Sequence, residues 1–270
     1  MCDVVERNEC SFDDLITEAA QRPLVGWDFT WLGSRIEILP LPWDYTTIVD
    51  DQARRSPTLL DMGTGGGEWL AALPHRPPTA IATEAWRPNA AVAARRLAPL
   101  GTHVVFVEGA PDNVLHAVGQ DRPHLPFADA SFHLVVNRHE SFVAVEVARV
   151  LGDGGRFITQ QLGDGLYGDF RALFDAPPAD REPWTLSAAV AQLEHAGLEV
   201  IDSAAGDEKI AFHDVGALAW YLRMIPWIVP DFSIPAQRER LRDIHRTLER
   251  DALSFTMAGF YLVVGKADHD

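Results

Sequence analysis

Cysteine and lysine are almost missing from this sequence of 270 residues, and no apolar run is long enough to span a membrane. The cysteines are Cys2 and Cys10. Two cysteines near one end make neither a disulfide framework nor a zinc site, so we interpret them as incidental thiols. The lysines are Lys209 and Lys266, and nothing in the pattern assigns that bias a function.

Positive charge is scarce in general, because 23 Lys and Arg residues face 39 Asp and Glu residues, for a formal net charge of −16. Proteins that bind nucleic acids usually carry a basic surface, since phosphate contacts dominate the affinity. The charge therefore disfavours a DNA or RNA substrate. The first residues, among them Asp3, Glu6 and Glu9, lack the basic-then-apolar layout of a signal peptide, so we expect a cytoplasmic protein without membrane contact.

The most informative segment runs from Leu59 to Glu68 and reads LLDMGTGGGE. An apolar run ends in Asp61 and is followed by a cluster of glycines that opens a predicted helix. This pattern indicates a buried strand and then a turn in which only glycine lets the backbone approach a ligand closely. A tight turn without a ligand is the alternative, but the acidic flank and a second acidic residue downstream favour a nucleotide-like cofactor.

The glycine spacing indicates which cofactor is bound. A dinucleotide-binding turn has the form G-x-G-x-x-G, and counting from Gly63 puts Glu68 at the third glycine. A carboxylate there would repel a pyrophosphate. The arrangement Asp61-x-Gly63-x-Gly65-x-Gly67 instead resembles the first motif of class I S-adenosylmethionine-dependent methyltransferases. The cofactor of that family has no phosphate, and its methionyl group carries both an ammonium and a carboxylate.

From Thr58 onward strands and helices alternate, which is typical of βαβ units and a parallel sheet. We predict one α/β domain with a doubly wound, mainly parallel sheet of about seven strands, of which the last is antiparallel. Residues 1–55 would form an N-terminal extension, 56–165 the cofactor-binding core and 166–270 the substrate-side half. A helical insertion is expected at about 214–253, before the final strand, and long insertions of this kind are often functional.

Glu84 ends the second predicted strand about 20 residues after the glycine turn, where an acidic side chain commonly accepts both ribose hydroxyls. Trp86 is predicted either to lie against an adenine or to pack ordinarily. Asp112 and Asn113 follow the third strand, where the resembled family often places a polar group near the adenine amine. For Asn113 an Asx-type turn is the favoured alternative.

The run LPFADASFHLVV over 125–136 resembles the loop and fourth strand of small-molecule methyltransferases, with His133 where that family usually has aspartate. We expect this change to affect local hydrogen bonding rather than activity. The segment Arg149-Val150-Leu151 and the glycines that follow resemble the family's next helix and strand. The motifs together cover about residues 58–161.

The fourth strand ends in Asn137-Arg138-His139-Glu140, at the edge where ligands enter open α/β sheets. The Asn-Pro-Pro-Tyr motif of enzymes that methylate nucleobase or glutamine nitrogens is absent here. His139 and Glu140 are both capable of proton transfer, and His139 is our candidate general base. The alternative is a helix-start cluster in which Glu140 meets the helix dipole and His139 only packs.

The resemblance implies S-adenosyl-L-methionine as the cofactor and methyl transfer to a small organic acceptor, with oxygen, nitrogen and carbon acceptors all open. No metal is expected. Two alternatives are an NAD-dependent oxidoreductase of Rossmann type and a non-catalytic module that keeps the cofactor. The predicted catalytic residues are His139 and Glu140, and the predicted cofactor-binding residues are Asp61, Gly63, Thr64, Gly65, Gly67, Glu84, Ala85, Trp86, Asp112 and Asn137.

Overall fold

The structure, a computed structural model, describes residues 11–110, 113, 124–163, 165–178 and 183–267. Asp112 and both cysteines lie outside the described residues. None of the helices in the described ranges is both long and apolar enough to cross a membrane. The helices are α1 (Phe12–Gln21), α2 (Tyr45–Ala53), α3 (Glu68–Ala72), α4 (Arg87–Leu97), α5 (Ala144–Val150), α6 (Gly165–Leu173), α7 (Leu186–His195), α8 (Val215–Met224) and α9 (Arg238–Leu248).

The strands of the described residues are β1 (Ile36–Leu39), β2 (Thr58–Met62), β3 (Thr79–Glu84), β4 (His103–Phe106), β5 (Phe132–Arg138), β6 (Leu151–Leu162), β7 (Glu199–Phe212) and β8 (Leu253–Gly265). They form one sheet in the order β1-β7-β8-β6-β5-β2-β3-β4. Strands β2 to β6 pair with one another in parallel, whereas β8 is antiparallel to β6 and β1 is antiparallel to β7. This is the predicted α/β class with a mainly parallel sheet.

The chain divides into two compact units, and the larger comprises Pro42–Gly163, Arg181–Gly206 and Gly259–Asp270. Side chains of its central strands alternate between two apolar clusters. On β2, Leu59 joins one cluster and Leu60 the other, and both residues are fully buried. Because successive strand residues point to opposite faces, both faces need a helix layer. Helices α2, α3 and α4 cover one face, and α5 and α7 cover the other.

The smaller unit comprises Met1–Leu41, Asp164–Asp180 and Asp207–Ala258. Ser11 followed three residues later by Asp14 predicts the start of a helix, and in the structure the Ser11 side chain accepts the N–H of Asp14 at the start of α1. Aromatic side chains of this unit pack on one another, with Phe29 and Trp31 both against the buried Trp220. The aromatic residues therefore build a core within this unit.

A buried ion pair holds the smaller unit together at the start of α8. The Arg35 guanidinium donates two hydrogen bonds to Asp214, at 2.7 and 2.5 Å, and it lies 4.1 Å from the centre of the Trp31 ring. Asp214 also accepts the N–H of Ala217, so the same carboxylate caps α8. Both side chains are less than a tenth exposed.

Two strands differ from the sequence prediction. The sequence predicts no strand in the aromatic, proline-rich stretch from Trp27 to Tyr45, yet β1 lies there. It also predicts a strand that ends at Ser203, whereas β7 extends to Phe212. The two errors have one cause, because β1 pairs with the unpredicted end of β7, from Ile36 opposite Phe212 to Leu39 opposite Lys209. Most of these residues are exposed or intermediate, so no buried face imposes an alternating pattern.

Arg35→Ala should lower the free energy of unfolding by about 3–5 kcal/mol, because it leaves the Asp214 carboxylate buried without its cation. Urea denaturation followed by circular dichroism measures this change. The control is Arg246→Ala, which breaks an ion pair with Asp243 whose side chains are both 64% exposed, and which should cost less than about 1 kcal/mol. Equal losses in the two variants would contradict a structural role for the buried pair.

Candidate cofactor and active site

The turn after β2 has the backbone shape that its glycines predict. Gly63, Gly65 and Gly67 have φ values of 71°, 62° and 78°, in the left-handed region that glycine adopts without strain. The turn lies between the end of β2 at Met62 and the start of α3 at Glu68. The chain therefore uses glycine where the backbone reverses at the carboxyl edge of the parallel sheet.

Glu84 ties this turn to the neighbouring strand. One carboxylate oxygen accepts the N–H of Gly65 at 2.7 Å, and the other accepts the N–H of Trp86 at 2.9 Å. The N–H of Thr64 donates to the carbonyl of Thr83 at 2.9 Å. The structure thus brings the predicted glycine turn and the predicted acidic residue into direct contact. The ribose-binding role of Glu84 stays a prediction.

A cavity of about 40 Å³ opens beside the turn, and it continues into open solvent. Of the predicted site residues, Gly63, Ala85 and Glu140 line it. Sequence reasoning missed Gly109 and Phe142, which also line the cavity. Gly109 comes soon after β4, much as Gly63 follows β2. Its position after a predicted strand could have indicated that it lines the cavity.

The Glu140 side chain lies close to two of these glycines. A Cβ atom added to Gly63 would be 2.5 Å from the Glu140 Cγ, and one added to Gly109 would be 2.7 Å from Glu140 Oε1. A side chain at Gly63 would displace the Glu140 methylenes, whereas one at Gly109 would displace only the end of the carboxylate. Burial, together with the negative charge of Glu84, raises the pKa of Glu140 to about 7.

Two further carboxyls share this end of the sheet. Burial raises the pKa of Asp61 to about 6, and the charge of Glu84 acts in the same direction. Burial also raises the pKa of Glu84, against the effect of its backbone N–H donors. Within the described ranges no Lys, Arg or His forms an ion pair with Asp61, Glu84 or Glu140. The site therefore holds negative charge that a cationic ligand would stabilise.

Asn137 lies at the end of β5 and is fully buried. Its side-chain oxygen accepts hydrogen bonds from Thr159 Oγ1 at 3.0 Å and from Gln161 Nε2 at 2.6 Å. Its backbone carbonyl accepts the Tyr45 hydroxyl at 3.0 Å. The side-chain Nδ2 has no partner among the described residues. Asn137 therefore keeps an unused amide nitrogen, with two N–H donors, at the carboxyl edge of the sheet.

His139 follows the same strand in a left-handed backbone conformation, with φ of 61°. Trp43 Nε1 donates to Gln160 Oε1 at 2.9 Å, which leaves the amide nitrogen of Gln160 facing His139 Nε2 at 3.3 Å. An amide nitrogen can only donate, so His139 Nε2 accepts and the ring proton is on Nδ1. Desolvation of the ring and then the positive charge of the adjacent Arg138 lower the pKa of His139, which favours the neutral ring.

The remaining predicted residues have mixed placements. Trp86 is 49% exposed beside Glu84, which agrees with a side chain free to meet a ligand but does not test that role. Asn113 is buried, and its Oδ1 accepts the N–H of Phe142 at 2.8 Å. This hydrogen bond is not that of an Asx turn, and it engages the side-chain oxygen that could otherwise have contacted adenine.

His133 replaces the aspartate that the resembled family usually has at this position. Its Nδ1 lies 3.2 Å from the Thr58 hydroxyl, so His133 takes part in local hydrogen bonding.

Residues 60–159 match the family model described as a methyltransferase domain, somewhat more than a third of the 270-residue chain. The matched segment begins in β2 and ends in β6, so it spans the glycine turn, Glu84 and the end of β5. This segment is similar to a methyltransferase domain. The resemblance read from the sequence motifs is confirmed. No curated protein sequence is similar enough to the chain to give a match.

Solved structures resemble the fold beyond the matched methyltransferase domain. A protein from Bacillus halodurans C-125 described as a candidate methyltransferase has a TM-score of 0.56 at 18% identity, over 82% of this chain and 98% of that one. The YcgJ protein of Bacillus subtilis has a TM-score of 0.54 at 18% identity, over 83% and 99% of the chains. A functionally unknown protein from Deinococcus radiodurans R1 reaches 0.51 at 12% identity, over 88% and 96%. At these identities the likeness establishes the fold alone.

Glu140→Gln should raise the free energy of unfolding of the ligand-free protein at pH 8 by about 1–3 kcal/mol. The carboxyl, with its pKa raised from 4.5 to about 7, binds its proton more tightly in the folded chain than in the unfolded chain. Its contribution to stability is therefore present below about pH 4.5 and is lost as the pH rises through about 7. Urea denaturation at pH 5, 6, 7 and 8 measures the slope, which the variant should flatten.

The control for this prediction is Glu108→Gln, which removes the same charge from an exposed residue of the same cavity. We expect it to change the free energy of unfolding by less than about 0.5 kcal/mol. An identical dependence on pH in wild type and Glu140→Gln would show that the Glu140 carboxyl is not perturbed by burial.

Proposed function

We propose that the protein transfers a methyl group from S-adenosylmethionine to a small organic acceptor. The observation that carries this proposal is the contact between the Gly65 N–H and the Glu84 carboxylate beside an open cavity at the carboxyl edge of the sheet. Open α/β sheets bind their ligands at that edge. The methyltransferase domain found over residues 60–159 supports the same conclusion.

The residues at this edge suit a ligand of that chemistry. The glycine turn admits a close backbone approach, and Glu84 offers two oxygens to the hydroxyls of a ribose. Ala85 and the exposed Trp86 follow Glu84 on the side where the nucleoside would lie, and Asp112 is proposed near its amine. The unused Nδ2 of Asn137 would gain an acceptor from the methionyl carboxylate or the methyl acceptor. Asp61, Gly63, Thr64 and Gly67 complete the proposed binding set.

Bound S-adenosylmethionine supplies a methyl group on a positively charged sulfur, which a nucleophile displaces in line. The protein's contribution is to hold the two reactants in that line and to keep water away from them. His139 is the proposed base for an acceptor that must lose a proton. It would use Nε2, which accepts a hydrogen bond from Gln160 at 3.3 Å. A hydrogen bond of this length is weak, so a substrate donor could replace Gln160.

A small organic acceptor agrees better with the charge of the chain than a polynucleotide does. The formal net charge is −16, and the cavity walls include the carboxylates of Glu108, Glu140 and Glu146. A phosphate backbone would be repelled from such a surface. Among the described residues no group of three or more His, Cys, Asp or Glu side chains could hold a metal ion, and the proposal uses none.

A dinucleotide fits the turn less well than S-adenosylmethionine does. Glu68 stands at the third glycine position of the dinucleotide pattern, and its carboxylate lies next to Gly66 and pairs with Arg96. A pyrophosphate at this turn would meet that carboxylate directly. The comparison of NAD with S-adenosylhomocysteine is therefore part of the binding test.

Gly65→Arg should weaken the binding of S-adenosylhomocysteine by about a hundredfold or more, because a bulky side chain would enter the turn and break the bond to Glu84. Isothermal titration calorimetry measures the binding of S-adenosylmethionine, S-adenosylhomocysteine and NAD to wild type and variant. The control is Gly101→Arg, since Gly101 also has a positive φ, of 73°, but has open space around it. Binding of NAD without binding of either sulfur ligand would overturn the proposed function.

His139→Ala should leave the dissociation constant of S-adenosylhomocysteine within about twofold and lower kcat by roughly a hundredfold, the usual contribution of a general base. Single-turnover assays with an accepted substrate measure the methyl-transfer rate. Gln160→Ala is the companion variant, since it frees His139 Nε2 without removing the ring, and it should retain most of the activity. An unchanged kcat in His139→Ala would remove the base from the mechanism.

A further inference from the structure

Glu140 is the partly buried carboxyl of the cavity whose charge has no partner among the described residues. Its side chain makes no hydrogen bond or ion pair with the described residues, and only its backbone carbonyl is engaged, by Gln161 Nε2 at 3.1 Å. Glu84 differs, because both its oxygens already accept backbone N–H groups. Asp61 differs as well, since it is buried and does not line the cavity. Glu140 is therefore the acidic group best placed to meet the charge of a ligand.

Glu140 lies on the side of the cavity that is formed by the glycine turn and the loop after β4. Its methylenes lie against Gly63 of the glycine turn, and its Oε1 lies against Gly109 in the loop after β4. Ala85, next to Glu84, contributes a methyl group 3.3 Å from the place where a Gly109 Cβ would be. A carboxylate enclosed by these three loops faces the segment that we propose to hold the cofactor.

The two forms of the cofactor differ by one charge. S-adenosylmethionine carries a sulfonium, an ammonium and a carboxylate, for a net charge of +1 near neutral pH. S-adenosylhomocysteine, left after the methyl group has moved to the acceptor, has a neutral thioether and no net charge. A group that stabilises the sulfonium therefore favours the substrate over the product, whereas one that meets the ammonium favours neither.

We propose that Glu140 makes this site selective for the charged cofactor, by stabilising the sulfonium of S-adenosylmethionine and releasing the neutral product more readily. The inference rests on the proposed function and adds a residue role to it. It also assigns Glu140 to cofactor recognition rather than to proton abstraction from the acceptor. Nearby carboxylates cannot substitute, since Glu146 is paired with Arg149 at 2.7 Å and Glu108 is exposed to solvent.

Proton release should accompany this selectivity. Burial and the charge of Glu84 raise the pKa of Glu140 to about 7, so near neutral pH the free site is partly protonated. A sulfonium favours the carboxylate form and drives that proton off, and a thioether does not. Among the described residues, the other titratable or charged groups around the cavity and its walls are Asp61, Glu84, Glu108, His124, Arg138, His139, Glu146 and Arg149.

The experiment is calorimetric titration of the full chain with S-adenosylmethionine, S-adenosylhomocysteine and sinefungin, an analogue with a protonated amine in place of the sulfonium. Each titration is run at pH 7 in two buffers of different ionisation enthalpy, which gives the number of protons released. The proteins are wild type, Glu140→Gln and the control Glu108→Gln. Circular dichroism checks that each variant is folded.

For wild type we expect S-adenosylmethionine and sinefungin to bind more tightly than S-adenosylhomocysteine and to release a fraction of a proton that the product does not. In Glu140→Gln the ratio of the dissociation constant of S-adenosylhomocysteine to that of S-adenosylmethionine should fall by about tenfold, and the proton release should vanish. In Glu108→Gln, whose charge is screened by water, the ratio should change less than about twofold.

Other outcomes overturn the inference in distinct ways. Equal weakening of both natural ligands in Glu140→Gln would place the carboxylate at the ammonium, and unchanged or tighter binding of both would show that it stabilises neither charge. If the variant does not fold, equal wild-type affinities for sinefungin and S-adenosylhomocysteine with no difference in proton release would also overturn it. Absence of all binding to wild type would instead contradict the proposed function itself.

Discussion

The hydrogen bond from the Gly65 N–H to the Glu84 carboxylate is the interaction on which the site depends. It joins the turn after β2 to the end of β3, two strands that are paired in the sheet from Thr58 opposite Thr79 to Asp61 opposite Ala82. Parallel pairing brings the carboxyl ends of both strands to one edge, so a glycine turn and an acidic residue about twenty positions apart become neighbours. The geometry of the cavity follows from that juxtaposition.

The same edge brings three carboxyl groups together, and their negative charge lowers the stability of the ligand-free fold. Asp61, Glu84 and Glu140 all have raised pKa values, chiefly because they are removed from water. A raised pKa in a folded carboxyl means that its ionised form is disfavoured there, so each group lowers the stability of the ligand-free fold at neutral pH. Perturbed groups of this kind cluster at functional sites, where a ligand supplies the missing charge.

Much of the larger unit follows from local patterns. The alternation of Leu59 and Leu60 between two apolar clusters, the caps of the helices and the glycines with positive φ are all properties of short segments. Strand β1 and the second half of β7 could not be predicted in this way. Their residues are mostly exposed, and only their mutual pairing makes them strands.

The glycine motif, the parallel core and the residue types available for chemistry could be predicted from the sequence, because they depend on spacing and on the conformational freedom of glycine. The roles open to the polar groups could not be predicted, and tertiary packing set them. It joined Asn113 to Phe142, set the proton of His139 on Nδ1 through Trp43 and Gln160, and left the Glu140 side chain without a partner among the described residues. Those outcomes depend on long-range contacts, and a side chain's protonation and partners are properties of its surroundings rather than of its place in the chain.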